Sequence, residues 1–459
     1  MRRILWFRRD LRSEDNPILS LEGEVLPIFI FDTDILASLR CNDRRVTFIY
    51  SAIMNLKASL RELGLDLAIF YGKPKEVFGW LLSQSAFDTV CASGDYDEYA
   101  RERDRGISHL LPFIDLHDTY IFRSDEVLKN DGTPYQVFTP YYNRAKALFH
   151  QEHLKEYHRN EALERIPFDY DVLHRIQGTS HTTAPIRLES IGFAPQVLSA
   201  RQLRTPKEKL ECFAAKIENY PLERDYMVLE ATSGLSMDLR FGTLSIRALL
   251  RWIVAQQKEG KQTEPFFRQL IFRDFYAMLL YHFPYLSQKN FRYPFKGIPD
   301  QDAFNAFCTA STGVPIIDAG VRELLESGEM HNRVRMICAS FFTKNLLLPW
   351  QWGEAFFAEH LNDYDAASNI LSWQWSAGTG IDPQPYFRIF NPYTQTAKFD
   401  RECRYIKHHL PELAAVPAKL LHTEDAFQNC LLSNYPRPIV NHKSSSQRAL
   451  DYFKSVLQQ

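Results

Sequence analysis

The first 125 residues alternate short apolar runs with amphipathic stretches. Ile4–Phe7, Val25–Phe31, Leu67–Tyr71, Thr89–Ala92 and Phe113–Leu116 have the length and apolar character of buried strands. Between them, Arg44–Leu63 and Lys75–Ser83 place apolar residues at helical spacing. This alternation predicts an α/β fold, a doubly wound parallel sheet with helices on both faces. Such sheets bind ligands in the crevice outside the carboxyl ends of their strands. No G-x-G-x-x-G and no Walker lysine loop occurs, so common dinucleotide and ATP sites are not expected. From 125 to 200 the periodicity weakens, and Gln177–Ile186 is small, polar and Pro-terminated, the composition of a loop or linker. Beyond 200, Lys207–Glu218, Leu244–Lys258, Phe266–His282, Asp302–Ala310, Val314–Glu326, Arg333–Leu347 and Gly353–Leu361 carry helical patterns. The expected organisation is an α/β domain over 1–125, a connector over 126–199 and a mainly α-helical domain over 200–459.

Composition changes this picture little. At 459 residues the chain is long enough for more than one core, and its apolar (45%) and charged (24%) fractions are ordinary for globular proteins. The aromatic share is high, with 33 Phe, 22 Tyr and 7 Trp, which serves either a large helical core or stacking on planar ligands. The net charge of −2 gives no sign of a polyanionic partner, so DNA binding would require a local basic face. Cys41, Cys91, Cys212, Cys308, Cys338, Cys403 and Cys430 form no C-x-x-C pair, which argues against a metal site and a disulfide framework. The N-terminus turns charged again at Arg8, unlike a signal peptide, and no stretch has the length of a membrane span. A cytoplasmic protein with no membrane partner is expected.

Three stretches of the helical part are chemically loaded. Thr232-Ser233-Gly234-Leu235-Ser236 puts hydroxyls and a glycine before a helix, equipment for holding phosphate and equally for capping the helix. In His331-Asn332-Arg333-Val334-Arg335-Met336, residues 332, 335 and 336 share a helical face and Arg333 points elsewhere. Asp363 to Trp375, DYDAASNILSWQW, gathers two carboxylates, an Asn and two indoles, the materials of an aromatic-lined site for a planar ligand with polar edges.

With these residues the chain resembles the photolyase/cryptochrome family, and within it the class I cyclobutane pyrimidine dimer photolyases. The similarity runs through Trp6-Phe7-Arg8-Arg9-Asp10-Leu11-Arg12, Asp15-Asn16-Pro17, Val137-Phe138-Thr139-Pro140-Tyr141, the 232–236 segment and Met330–Met336. It continues at Trp373-Gln374-Trp375 and Tyr386-Phe387-Arg388-Ile389-Phe390-Asn391-Pro392. The resemblance implies an antenna domain, a connector and a helical domain holding FAD in a bent form. Tyr220, Thr232, Ser233, Leu235 and Ser236 would then hold the FAD phosphates and ribityl chain. Asp363, paired with Arg335, and Asp365 would meet the flavin edge, and Asn369 would face N5. Asn332, Met336, Phe272, Gln269 and Trp375 would line the pocket of a flipped-out pyrimidine dimer in UV-damaged DNA. Arg333 would reach that pocket or the phosphates, and Arg224 and Arg388 would hold the DNA backbone. Trp373 and Trp350 would relay electrons to the flavin. The implied activity is light-driven dimer repair by a monomer; the alternative is a cryptochrome-type blue-light receptor with weak or no repair.

Departures from the family pattern sharpen the expectation. Where the family usually reads E-L-x-W-R-E-F-Y, this chain has Gln269-Leu270-Ile271-Phe272-Arg273-Asp274-Phe275-Tyr276. Gln269 can donate a hydrogen bond to the dimer but cannot supply a proton as a protonated Glu can. Phe272 keeps a stacking face where a Trp is usual, and Glu329 replaces an aromatic residue. No Trp lies between 253 and 349, so the third member of the relay is missing, with Tyr293 or Trp352 as substitutes. Folate-binding relatives carry Asn-Glu where Tyr99-Ala100 stand, which leaves folate, deazaflavin, a second flavin or no antenna all open.

Overall fold

The computed structural model describes residues 1–424 and 435–458; Cys430 lies outside them. The chain divides into two compact units. The first comprises Met1–Tyr135, Pro140–Ala214 and Ser233–His282, and the second Gln136–Thr139, Ala215–Thr232 and Phe283–Gln459.

The first unit is built on an eight-stranded sheet. Its strands are β1 (Arg2–Phe7), β2 (Gly23–Asp32), β3 (Ala68–Gly72), β4 (Thr89–Ser93), β5 (Phe113–Leu116), β6 (Leu163–Arg165), β7 (Leu173–Gln177) and β8 (Ser180–Ala184). The order is β5-β4-β1-β2-β3-β7-β8, with β6 on β2, and every pairing except β7–β8 is parallel. Side-chain alternation assigns each face its own core. Ile4, Trp6, Leu26 and Ile28 pack on one side, and Leu5, Phe7, Val25 and Phe29 on the other. A sheet buried on both faces needs strands that are apolar throughout, which is why four of the five sequence-predicted strands were legible; the fifth, Phe113–Leu116, is an outer strand with partly exposed side chains.

Gln177–Ile186, expected as a loop, corrects to part of a hairpin. β8 pairs antiparallel with β7 across a turn in which Gly178 adopts a φ of +58°. β8 is an outer strand with mostly exposed side chains, so its polar Ser, His and Thr residues fit solvent and its order comes from main-chain register.

The described part of the second unit is helical. Helices Pro315–Ser327, Asn332–Ser340, Trp350–His360, Ala366–Ala377, Pro392–Phe399 and His442–Leu457 carry most of it. The helix expected over Arg333–Leu347 ends at Ser340 and continues as one π-helical turn, Phe341–Asn345. Among the described residues, no helix is long and apolar enough to cross a membrane.

Candidate functional site

In the second unit, helix Ala366–Ala377 packs against both Trp350–His360 and Asn332–Ser340, and most expected site residues sit on or beside these three. Asp363 precedes the first of them. Both its carboxylate oxygens lie 3.0 Å from Arg335 Nη2, and Arg335 Nε donates to Met330 O at 2.8 Å. The guanidinium is thus fixed by backbone on one side and carboxylate on the other. Asp365 is the helix N-cap: its Oδ1 accepts from Ser368 N and Ser368 Oγ, each at 3.1 Å.

Asn369 lies one helical turn beyond Asp365 on the same face. Its Nδ2 donates to Glu354 O at 3.1 Å and Glu354 Oε1 at 3.0 Å. A backbone carbonyl only accepts, so this contact decides the orientation of the amide. The Tyr364 hydroxyl donates to the same Glu354 oxygen at 3.2 Å. Burial pushes the Glu354 carboxyl above its ordinary range, against those two hydrogen bonds. Both amide hydrogens of Asn369 are spent on one neighbour, and its carbonyl oxygen is the group that remains to meet a ligand.

Trp373 is buried one turn further along, met edge-on by Phe342 at 5.3 Å and Phe357 at 4.9 Å between centroids. Its ring lies so close to Gly353 that a Cβ there would sit 2.2 Å from Trp373 Cη2. Trp350 is also buried, and its indole N–H donates to Asn290 Oδ1 at 2.8 Å. Gln374 donates to Leu286 O and Lys289 O at 2.7 and 3.1 Å, while Trp375 is half-buried.

On helix Asn332–Ser340, Asn332 Nδ2 lies 3.7 Å from Met336 Sδ, so these two expected lesion-pocket residues come together. Arg333 faces elsewhere, as its spacing predicts. It pairs with Asp225 at 2.6 Å and lies over the Phe399 ring at 4.5 Å. Arg224 lies 5.6 Å over the ring of buried Tyr220. Arg388 is exposed on the loop that follows helix Ala366–Ala377.

In the first unit, Gln269 and Phe272 sit three residues apart on helix Glu264–His282, hence on one face, and both are half-buried. Phe272 meets Tyr276 edge-on at 4.7 Å. Ser236 opens the short helix Ser236–Phe241, and Leu235 at its N-cap provides no side-chain hydrogen bond. Ser233 Oγ accepts from Leu235 N at 3.4 Å, and Gly234 takes a φ of +70°. Tyr99, in the antenna-loop region, donates its hydroxyl to Asp32 at 2.5 Å.

Sequence reasoning missed Glu354, Asn290 and Asp225. A Glu inside the apolar run Trp350–Phe357 was the available signal for the first. Nothing in the spacing joined it to Asn369, 15 residues on.

Residues 3–161 match the family model for DNA photolyase, and residues 266–455 match that for the FAD binding domain of DNA photolyase. A deoxyribodipyrimidine photo-lyase of Alkalihalophilus pseudofirmus is 34% identical over 98% of this chain and 97% of its own length. The chain belongs to the DNA photolyase family. Among solved structures, a bacterial class III photolyase from Agrobacterium tumefaciens superposes with a TM-score of 0.85 at 29% identity, covering 100% of this chain and 98% of that one. An archaeal photolyase from Sulfolobus tokodaii, described with two FAD molecules, gives 0.82 at 29% identity over 100% of both chains. The family's FAD binding domain therefore spans Asp363 and the three helices that carry Arg335, Glu354 and Asn369.

Proposed function

We propose that this chain is a deoxyribodipyrimidine photo-lyase: a monomeric, light-driven enzyme that splits cyclobutane pyrimidine dimers in UV-damaged DNA, with FAD as its working cofactor. The observation that carries this reading is the locked amide of Asn369, whose donors are held by Glu354. An amide presenting only its oxygen accepts from an N–H, and reduced flavin has one at N5 where oxidised flavin does not. The reduced cofactor, when bound, supplies a photoexcited electron that the dimer takes up and returns once its cyclobutane bonds have opened.

The residues present fit that cofactor. Asn369 would stabilise the reduced ring edge, and the Arg335–Asp363 pair would present a fixed carboxylate beside it, with Asp365 adjoining. Thr232, Ser233, Leu235, Ser236 and Tyr220 would hold the phosphates and ribityl chain.

Asn332, Met336, Trp375 and Phe272 would receive the extruded dimer, whose poor stacking lowers the cost of leaving the duplex. Gln269 would donate a hydrogen bond to a dimer carbonyl, stabilising charge that develops there. Arg224, Arg333 and Arg388 would hold phosphates, the sequence-independent part of binding. Buried Trp373 and Trp350 would pass electrons inward when the cofactor is oxidised.

One observation favours a second reading. Gln269 cannot deliver a proton, which suits a blue-light receptor with little repair. Blue light on dimer-containing DNA with reduced, flavin-loaded protein separates the two. Restored thymine supports the enzyme, and intact DNA binding without restoration overturns it in favour of the receptor. The absorption spectrum of the same preparation reports whether a folate, deazaflavin or second flavin accompanies FAD.

A further inference from the structure

Between helices Ala366–Ala377 and Pro392–Phe399 the chain passes through a loop that carries Arg388. Two neighbouring side chains face outward there: Phe387 is 64% exposed, and Arg388 is exposed beside it. An aromatic ring left in solvent next to a cation needs a rigid backbone to be of use, since ordering a mobile loop on binding costs free energy.

Beneath the loop runs the fully buried π-turn Phe341–Asn345. Such turns re-aim side chains and concentrate at functional sites. Lys344 projects from it. Its side chain is inaccessible to solvent, and its Nζ donates to the Arg388 carbonyl at 2.8 Å. Ser340 Oγ accepts from Phe390 N at 3.2 Å, and the His442 ring lies 3.4 Å from both Phe390 O and Asn391 Nδ2. The loop is pinned from below at 388, 390 and 391.

Space filling does not account for a lysine here. Burial, followed by the nearby Arg388 guanidinium, pushes its ammonium down to about 7. Among the described residues no carboxylate pairs with it. A methionine would occupy similar volume without that desolvation cost. What lysine adds is the hydrogen bond to Arg388.

We propose that Lys344 is a positioning residue for DNA, fixing the loop backbone at the Arg388 carbonyl so that the Arg388 side chain is held outward to meet the duplex. This rests on the DNA-repair reading above. Lys344 itself stays buried and touches no phosphate.

The test uses flavin-loaded, full-length wild type, Lys344→Met, Arg388→Ala and the double variant. Each is titrated with a short duplex carrying one thymine dimer, at several salt concentrations. Lys344→Met is expected to weaken binding about tenfold, the effect of losing one buried hydrogen bond. The salt slope should fall by about one phosphate contact although Lys344 is buried. The double variant should bind no worse than Arg388→Ala, with the flavin spectrum unchanged throughout. Unchanged affinity in Lys344→Met, or additive losses in the double variant, would overturn the proposal. If Lys344→Met does not fold with flavin, Ser340→Ala removes the neighbouring pin and should lose roughly threefold, again only when Arg388 is present. Wild-type protein that fails to bind dimer-containing DNA overturns the repair reading and this one together; intact binding with additive losses overturns only the role of Lys344.

Discussion

Asn369 is held to Glu354 by both hydrogens of its side-chain amide, at 3.1 Å to the backbone carbonyl and 3.0 Å to the carboxylate. The contact orients the amide before any cofactor arrives. Glu354→Gln keeps the backbone carbonyl that accepts from Nδ2 but removes the carboxylate, which loosens the hold on the amide. The midpoint potential of bound flavin should then fall by about 20–30 mV, the equivalent of one lost hydrogen bond to the reduced form. A spectroscopic redox titration measures this, and an unchanged potential would show that the Glu354 carboxylate takes no part in orienting Asn369.

Gly353 lies under the Trp373 ring, where an added Cβ would stand 2.2 Å from Cη2. Gly353→Ala must displace the indole or shift the two helices. Overpacking of this kind costs about 1–3 kcal/mol. Thermal unfolding should show that loss, and photoreduction of bound flavin by external thiol should slow in the same variant. Wild-type photoreduction with a displaced indole would remove Trp373 from the electron route.

Gln269 stands where a family member usually has Glu. Gln269→Glu, on a half-buried helix face beside Phe272, should carry a raised pKa and so be able to give both a hydrogen bond and a proton. Repair yield per absorbed photon should rise severalfold at or below pH 7, with dimer affinity little changed. Equal yields across that pH range would mean that proton supply does not limit repair.

Asp274 replaces another Glu of the same stretch. Its Oδ2 accepts from Ile121 N and Phe122 N, each at 2.9 Å, and burial pushes its carboxyl up to about 7 from 3.8. The folded state therefore holds this proton more tightly than the unfolded chain. Its contribution to stability falls as pH rises from 3.8 to about 7 and stays low above that. Asp274→Asn keeps a carbonyl acceptor and removes the ionisation. The melting temperature of the variant relative to wild type should be highest at pH 8 and decline toward pH 4, and a pH-independent difference would exclude Asp274 as the titrating group.

The sequence alone determined the parallel sheet, because Ile4–Phe7, Val25–Phe31 and Thr89–Ala92 are buried on both faces and must be apolar throughout. It also determined the family, through motifs such as Trp373-Gln374-Trp375, and the pairing of Asn332 with Met336, which follows from helical spacing. Strand β8 was not legible, since an exposed edge strand is ordered by register and leaves no apolar pattern. Tertiary structure alone decided that the Asn369 amide is oriented by Glu354, that Arg333 pairs with Asp225 over Phe399, and that Lys344 reaches the Arg388 carbonyl. The reason is common to all three. Periodicity reports which side of an element faces the core, whereas a polar contact between elements depends on where separate segments meet, and no local pattern encodes that meeting.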